Sequence, residues 1–504
     1  MKKKEIDKRG IFEVRKIGKN SFFLLMSRVL GISVTLGIIV IVARYLGVES
    51  FGFYALVVAI SMAIRPLTDF GFDRIICREI SKKKYIADRY LGTTIATKVV
   101  FSIVLLTVAG LMVILFSSWN HDIKLAVIIA ITTEFAMSMG QTYLSVIRAF
   151  ERMEFEFIAT IIHRLTTFVF VVIVVLYDLG FTAIFYARFL SSIVYLLICA
   201  ILLYGKFVRP RFHFNLPLTK YIIRESFPLA ISSLLITLIF KVDVFLLKWF
   251  GNETDIALFE APHRLITQMQ IFAVSISSAL FPVMSRNANG PLNELLYQYY
   301  RKAYKFLLIT GAFASTFFYI GGKPLITMIF GSDFAHASIS LKILSPTVCF
   351  LFLSSLQSLF IIAIGRQFLN TICIATALMI NIVLDVLLIP DYSYIGASIA
   401  TLISYFIIVA MNSYFINTQG VKTNILGIVT KTAIAVLITS SAIFMSFPNN
   451  IITLILRLCI GLLLYLLSMH LLRVLSQEEI SIIKNVFYKN RQDISPENKE
   501  MAEF

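Results

Sequence analysis

Residues 370–405 read NTICIATALMINIVLDVLLIPDYSYIGASIATLISY. Two apolar spans are hinged on residues 389–391, so the stretch predicts two helices that cross a membrane in opposite directions. Asn381 and Asp385 stand four residues apart and therefore share one face of the first helix. A carboxylate within a membrane span is unfavourable unless it meets a cation, a partner or water. This makes the pair a candidate functional site.

Further oxygen-bearing side chains are expected around this pair. The returning helix carries Ala397 and Thr401, and antiparallel packing is expected to place Thr401 opposite Asn381 and Asp385. Asp243, in an earlier span, supplies a second carboxylate. Such oxygens are hard ligands that suit a sodium ion or a proton. Two other interpretations stay open: a hydrogen-bond cluster between helices, or neutralisation of one carboxylate by Lys241.

The composition places the chain in a membrane. Hydrophobic residues make up 58% of the 504 residues, charged residues 15%, and the mean hydropathy is +0.84. An ordinary soluble domain has roughly a quarter charged residues. Because a membrane span must satisfy its own backbone polar groups, the sequence predicts an all-α polytopic fold. The cysteines lie scattered, mostly in apolar runs without metal-ligand spacing, and are expected to pack as small apolar residues.

An internal repeat is expected along the chain. Apolar runs of about 20 residues number about fourteen, and residues 47–50 (GVES) after the first run match residues 251–254 (GNET) after the seventh. Two pseudo-symmetric six-helix bundles, with a site between them, would explain this match. The predicted parts are a basic tail at 1–19, bundles at 20–205 and 225–416, helices thirteen and fourteen at 428–475, and a polar tail at 476–504.

Lys and Arg collect on one side of the predicted membrane. The formal net charge is +17, but its placement follows the positive-inside rule and needs no nucleic acid to explain it. Both termini are therefore predicted in the cytoplasm, with the protein in the cytoplasmic membrane. Basic residues crowd the segments 1–19, 74–89 and 206–224, whereas the opposite loops 251–255, 331–338 and 390–394 hold almost none.

The sequence contains no recognisable catalytic machinery. No predicted exported loop exceeds about ten residues. A phosphate-cradling glycine loop, a zinc-ligand cluster and a glycine-flanked nucleophilic serine are all absent. The chain is therefore predicted to be a transporter and not an enzyme.

Cations within the spans predict a cavity that binds an anion. The planar arginine fork suits phosphate, and buried cations would attract a large anionic headgroup. We expect carboxylates to collect towards the C-terminal half and guanidinium groups to line the cavity. The candidate lining residues are Arg28, Arg65, Arg164, Lys241 and Arg264; Lys98, Lys124, Arg188, Lys248 and Lys342, nearer span ends, are expected to snorkel or form ion pairs.

Several motifs, in their order along the chain, resemble one family. They are residues 27–31 (SRVLG), 43–47 (ARYLG), 281–286 (FPVMSR), 388–390 (LIP) and 396–397 (GA). Over roughly residues 18–475 the chain resembles the polysaccharide flippases of the multidrug and oligosaccharidyl-lipid exporter superfamily, which is MATE-like and includes the lipid II flippase.

This resemblance implies roles for individual residues. Ser27, Arg28, Arg65 and Arg264 would line a cationic cavity for a lipid-linked diphosphate, together with the candidates Arg164 and Lys241. Where the family has a further arginine in helix one, this chain reads ISVT at 32–35, so its headgroup is expected to differ from lipid II. The resemblance also implies a sodium site formed by Asp243, Asn381, Asp385, Thr401 and the carbonyl of Ala397.

The sequence thus predicts a flippase for a polyprenyl-diphosphate-linked oligosaccharide, such as an O-antigen, capsule or teichoic-type repeat unit. It would work by alternating access coupled to Na⁺ or a proton, without another cofactor. Expected partners are the lipid-linked substrate, the bilayer and the polysaccharide polymerase machinery. Two alternatives stay open: a multidrug exporter, whose cavity should be acidic, and a membrane-embedded polymerase or glycosyltransferase, which would need a long exported loop. The sugar and the oligomeric state are left open.

Overall fold

The computed structural model describes residues 2–116, 119–208, 215–288 and 294–419, with short pieces between 427 and 471, and all its regular elements there are helical. The predicted all-α fold is confirmed. The first half comprises α1 (Lys2–Asp69), α2 (Phe72–Lys82), α3 (Ala87–Phe116), α4 (His121–Ala149), α5 (Met153–Leu176) and α6 (Phe181–Lys206). The second comprises α7 (Leu216–Phe250), α8 (Glu253–Ala288), α9 (Glu294–Phe330), α10 (Ala337–Leu344), α11 (Thr347–Ala363) and α12 (Gln367–Thr418).

Most of these helices suit a membrane. Within the described residues, eight are long and apolar enough to cross it, and α10 with α11 forms a ninth span if their 43° bend is counted as one broken span. The bend falls at Ser345 and Pro346, because proline has no backbone N–H to continue the helix. The protein is therefore a multi-pass membrane protein.

Two helices, α1 and α12, are longer than one crossing requires. Each contains one residue with a non-helical backbone: Gly47, at φ 70°, and Ser393, at φ 49°. Asn381 and Thr401 lie on either side of the second bend, and both donate hydrogen bonds to Asp243. On a straight helix they would stand roughly 30 Å apart. Helix α12 is therefore a hairpin of two crossings, as the sequence of residues 370–405 predicts.

The two halves repeat one packing scheme. In the first half α4 packs on α6, and α1 packs on α5 and α4. In the second half α11 packs on α12, α7 on α12, and α8 on α11. These are equivalent pairs if the two crossings of α1 match α7 and α8, and those of α12 match α5 and α6. The pairing agrees with the predicted pseudo-symmetry, and α1 joins the halves by packing on α7 and α8.

A helix replaces a loop that was expected between the second and third spans. Residues 74–89 were predicted as a cytoplasmic loop, but most of them form α2 and the start of α3. Phe72, Ile75, Ile76 and Ile80 recur at helical spacing and are buried, so the segment buries one apolar face. The loop prediction was wrong because it weighed only the basic residues.

The C-terminal region is described only in part. Tyr465 donates a hydrogen bond to the carbonyl of Ile309 in α9 at 2.8 Å, and its ring packs on Phe313. This piece of the predicted segment 428–475 therefore lies against α9. Much of the rest of that segment and the tail at 476–504 lie outside the described residues, so the count of fourteen spans stays a prediction.

Candidate functional site

A cavity of about 330 Å³, which we call the central cavity, lies where the two halves meet. Its wall comes from α1, α4, α5 and α6 in the first half and from α7 and α8 in the second. A cavity of this size can hold a small ligand or headgroup. Cationic side chains from both halves line it: Arg65, Arg164, Arg188, Lys241 and Arg264.

The cations of α5 and α6 keep an unneutralised charge. Arg188 donates to the Tyr54 hydroxyl at 2.9 Å and lies over that ring. The Nε of Arg164 is buried without a hydrogen-bond partner. Within the described part of the chain, neither arginine pairs with a carboxylate. Both are therefore available to an anion that enters the cavity. Arg188 lies near a predicted span end and was expected to snorkel or form an ion pair, but the fold places it in the cavity wall.

The cations of α7 and α8 share one buried carboxylate. Glu260 is completely buried, and its Oε1 accepts hydrogen bonds from Lys241 Nζ and, at 2.9 Å, from Arg264 Nε. Its other oxygen lies 3.8 Å from the Nδ1 of His263. Lys241 therefore neutralises mainly Glu260, which settles the question that the sequence left open about its partner.

An acidic residue also lines the first-half side of the cavity. Glu134 of α4 is nearly buried, and its Oε2 lies 3.9 Å from Arg65 Nε. Carboxylates are thus present in both halves, and Arg264 lies in the second half. This corrects the expectation that carboxylates collect in the C-terminal half. The cavity lining is mixed but carries an excess of positive charge.

Two further residues predicted for this cavity, both in α1, have different outcomes. Ser27 is buried in α1 but lies outside the cavity wall. The side chain of Arg28 lies outside the described residues. Thr35, two helical turns further along α1, does line the cavity.

The second candidate site lies on α7 and both arms of α12. Oδ1 of Asp243 accepts hydrogen bonds from Asn381 Nδ2 and Thr401 Oγ1, each at 3.1 Å. The same Thr401 hydroxyl lies 2.9 Å from the Ala397 carbonyl, which shares the hydroxyl proton with Asp243. Asp385 lies close enough to Asp243 for the two carboxylates to interact. All five predicted residues are therefore gathered at one place, and each is buried.

Four oxygen atoms at this acidic site have no hydrogen-bond partner among the described residues: Asp243 Oδ2, Asn381 Oδ1 and both oxygens of Asp385. Buried polar atoms are normally satisfied, so unpaired oxygens on two neighbouring carboxylates call for a proton or a cation. Carboxylate and amide oxygens suit a hard cation such as Na⁺. The described residues contain no group of three or more His, Cys, Asp or Glu side chains that could hold a metal.

His263 connects the two sites. Its ring lines the central cavity, stacks on Phe259 and lies beside Glu260. It is also close enough to Asp243 to act on its charge. His263 therefore lies beside both sites.

A family model described as "Polysaccharide biosynthesis protein" matches residues 17–288, which is more than half of the chain. The chain belongs to this family. It is 22% identical over 398 residues to the uncharacterized membrane protein MJ1068 of Methanocaldococcus jannaschii, across 72% of this chain and 76% of that protein. It is 24% identical over 188 residues to the "Probable low-salt glycan biosynthesis flippase Agl15" of Haloferax volcanii, across 35% of this chain and 38% of that protein.

Solved structures of two transporters share this fold. The lipid II flippase MurJ in an inward closed conformation superposes with a TM-score of 0.73 at 18% identity, over 94% of this chain and 99% of that chain. An inward-facing multidrug resistance MATE family transporter gives 0.62 at 18% identity, over 78% and 95%. The predicted superfamily is confirmed: this polysaccharide biosynthesis protein has a MATE-like transporter fold and is not an enzyme.

Proposed function

We propose that this protein is a flippase that carries a polyprenyl-diphosphate-linked oligosaccharide across the cytoplasmic membrane, with both termini in the cytoplasm. One observation carries the proposal: cations from both halves of the molecule line one cavity between them. A diphosphate is a compact group of negative charges that arginine can bind in a bidentate manner. The relative Agl15 is named a probable glycan biosynthesis flippase and the structural neighbour MurJ a lipid II flippase, and both names support a flippase activity.

The two available arginines would provide the first contact for the diphosphate. No carboxylate among the residues that the structure describes neutralises Arg164 or Arg188, so an anion gains their full attraction. Lys241 and Arg264 are already held by Glu260, and the diphosphate has to compete for them. A substrate that engages both pairs bridges the halves. Binding would therefore favour the conformations in which the halves are close.

Contacts between the halves exist on both sides of the central cavity. On one side Arg44 donates to the carbonyls of Met328 and Ile329, the latter at 2.9 Å. Gly52 lies against the backbone of Glu253 so closely that a Cβ there would clash with its carbonyl oxygen. We call these contacts the outer seam, since the predicted topology places them outside.

On the opposite side, α2 closes on α7. Arg78 forms an ion pair with Glu225 at 2.9 Å, and the ring of Phe70 packs on Phe227. We call these contacts the inner seam. Alternating opening of the two seams would expose the central cavity to one side of the membrane at a time.

The acidic site would couple this cycle to a cation. A cation bound among Asp243, Asn381, Asp385 and Thr401 would hold α7 against both arms of α12. It could bias the equilibrium only by its difference in affinity for the two states. The ion is Na⁺ or a proton, and the carried unit is an O-antigen, capsule or teichoic-type repeat. A cationic drug is a poor ligand for a cavity with this excess of positive charge, which disfavours the multidrug alternative.

Reconstitution tests the proposal. Proteoliposomes would receive a polyprenyl-diphosphate sugar in one leaflet, and its transfer would be followed by membrane-impermeant periodate oxidation of the sugar. We expect Arg164→Gln with Arg188→Gln to slow transfer by about 100-fold, since two charge-assisted contacts are lost. The double variant Arg164→Lys with Arg188→Lys retains both charges and should transfer the lipid faster than the glutamine double variant. Equal rates for wild type and the glutamine pair would refute the proposal.

A further inference from the structure

A second cavity, of about 360 Å³, adjoins the central cavity on the side of the inner seam. The two share Met62 and Arg65 in their walls, so they lie next to each other. We call it the inner chamber. It is lined by Met62, Arg65, Pro66, Asp69, Asp73, Arg74, Ser138, Gln141, Arg148, Ser233 and Thr237.

The lining of the inner chamber differs from that of the central cavity. Only Met62 and Pro66 are apolar, whereas the central cavity also presents Ile38, Ile39 and Val58. The other lining side chains are arginines and aspartates, together with neutral serine, threonine and glutamine, so the wall offers both hydrogen-bond donors and acceptors. Three arginines and two aspartates share this lining. Lys98 pairs with both aspartates and Glu156 pairs with Arg148, so the chamber presents little net charge. The chamber therefore suits a ligand that is polar but uncharged.

Buried contacts hold the acidic wall of the chamber in place. The Nζ of Lys98, which is completely buried, lies 2.8 Å from both Asp69 Oδ1 and Asp73 Oδ1. It also donates to the hydroxyl of Thr142 at 2.7 Å, and Thr142 donates to Asp73 at 2.8 Å. A carboxylate can accept about four hydrogen bonds, so both retain capacity towards the chamber.

The opposite wall is fixed in the same manner. Arg148 is paired with both oxygens of Glu156, at 2.7 and 2.8 Å, and donates to Gln141 Oε1 at 3.1 Å. The amide of Gln141 donates to the Tyr195 hydroxyl at 2.8 Å. Side chains held by a second set of contacts form a preorganised surface, which lowers the entropy lost when a ligand binds.

We infer that the inner chamber is an oligosaccharide subsite. It takes the sugars beyond the first one, while the diphosphate occupies the central cavity and the first sugar lies beside Arg65. Sugar hydroxyls donate and accept hydrogen bonds, which matches a wall of fixed aspartate, arginine, glutamine and serine side chains. The inference rests on the proposed function. It adds that the inner chamber is the part of the protein that selects the repeat unit.

The test compares two lipids in the same proteoliposomes. One is the full lipid-linked repeat unit extracted from source membranes, and the other is the same polyprenyl diphosphate with only its first sugar. Ser233→Phe fills the chamber, and Gln141→Ala removes an amide from its wall. Ile236→Phe adds the same ring to an exposed position of α7 and is the matched control.

We expect Ser233→Phe to lower the ratio of the full-unit rate to the single-sugar rate by about tenfold or more. Gln141→Ala should lower it by about three- to tenfold, and carries the test if Ser233→Phe does not give a monodisperse protein. Ile236→Phe should leave the ratio unchanged. A ratio that stays constant in both chamber variants would overturn the subsite, even if both rates fall. If the wild-type protein transfers neither lipid, the proposed function is refuted, and the subsite that rests on it is refuted as well.

Discussion

Two buried acidic sites share helix α7 but differ in their counter-charges. Glu260 accepts hydrogen bonds from Lys241 and Arg264, both of which are cations. Asp243 accepts hydrogen bonds from an amide and a hydroxyl, and Asp385 from no described group. All three carboxylates are completely buried.

This difference makes Glu260 a structural charge, whereas the charge on Asp243 and Asp385 is balanced by an exchangeable ion. Removing a carboxylate from water is unfavourable, and fixed cations compensate this within the protein at Glu260. At Asp243 and Asp385 the described part of the chain supplies no lysine or arginine in direct contact, so a cation from solution or a proton has to compensate the lost hydration. The Glu260 site is therefore stable without a ligand. The site of Asp243 and Asp385 is completed only when a cation or a proton binds.

The largest expected effect is the loss of the structural charge. Glu260→Gln leaves Lys241 and Arg264 buried without their counter-ion, and should lower the free energy of unfolding by about 3–5 kcal/mol. Thermal unfolding of the detergent-solubilised protein measures it. Glu49→Gln, at an exposed carboxylate, should show almost no change. An unchanged melting temperature for Glu260→Gln would remove the distinction between the sites.

Added cation should stabilise the exchangeable site. A ligand at 100 times its Kd stabilises the native state by about 2.7 kcal/mol, so sodium should raise the wild-type melting temperature beyond the effect of choline at equal ionic strength. Asp385→Asn should abolish this difference, because one of the two carboxylates is gone. If protons replace sodium, the same difference should appear between low and high pH. A full sodium or pH effect in Asp385→Asn would contradict the assignment.

Transport should show a smaller but related effect. Coupling energies between sites are typically about 1–3 kcal/mol, or about 5–150-fold. A cation gradient should therefore accelerate wild-type transfer of the lipid-linked sugar by a factor in this range, and should have no effect on Asp385→Asn. Asp333→Asn, at an exposed carboxylate between α9 and α10, is the control and should respond as wild type does. Equal responses of the two variants would break the link between the acidic site and transport.

The smallest effect is expected at an ion pair exposed to solvent. Arg78 and Glu225 are 44% and 39% exposed, and such pairs contribute about 0.2–1 kcal/mol. Arg78→Gln should shift the equilibrium towards an open inner seam by no more than about fivefold, as measured by distances between spin labels on α2 and α7. Lys82→Gln, which loses a pair within α2, should leave the distances unchanged. A larger shift would mean that this pair alone holds the inner seam.

The fold follows from patterns that a sequence displays directly. Span length, the hinge at residues 389–391 and the repeated glycine turns predicted the helices and the two halves. Helix α2 escaped prediction because its basic residues suggested a loop, although Phe72, Ile76 and Ile80 have helical spacing. That amphipathic spacing was the signal that could have revealed it.

The sites were predictable in unequal degree. Asn381, Asp385 and Thr401 lie close in sequence within one hairpin, so their convergence could be anticipated. The pairing of Lys241 with Glu260 depends on how α7 faces α8, which the order of residues does not encode in any local pattern. Arg188 joins the central cavity only through the packing of α6 on α4. Long-range geometry of this kind decides which charges are neutralised.

Direct measurement of bound cation tests the central claim. Radioactive sodium binding to the purified protein, with the infrared band of protonated carboxyl groups followed in parallel, counts the Na⁺ or proton at Asp243 and Asp385. We predict one saturable Na⁺ per chain, or in its place a protonated carboxyl band, lost in Asp385→Asn and retained in Glu260→Gln. Absence of both signals in the wild type, or their persistence in Asp385→Asn, would contradict the account.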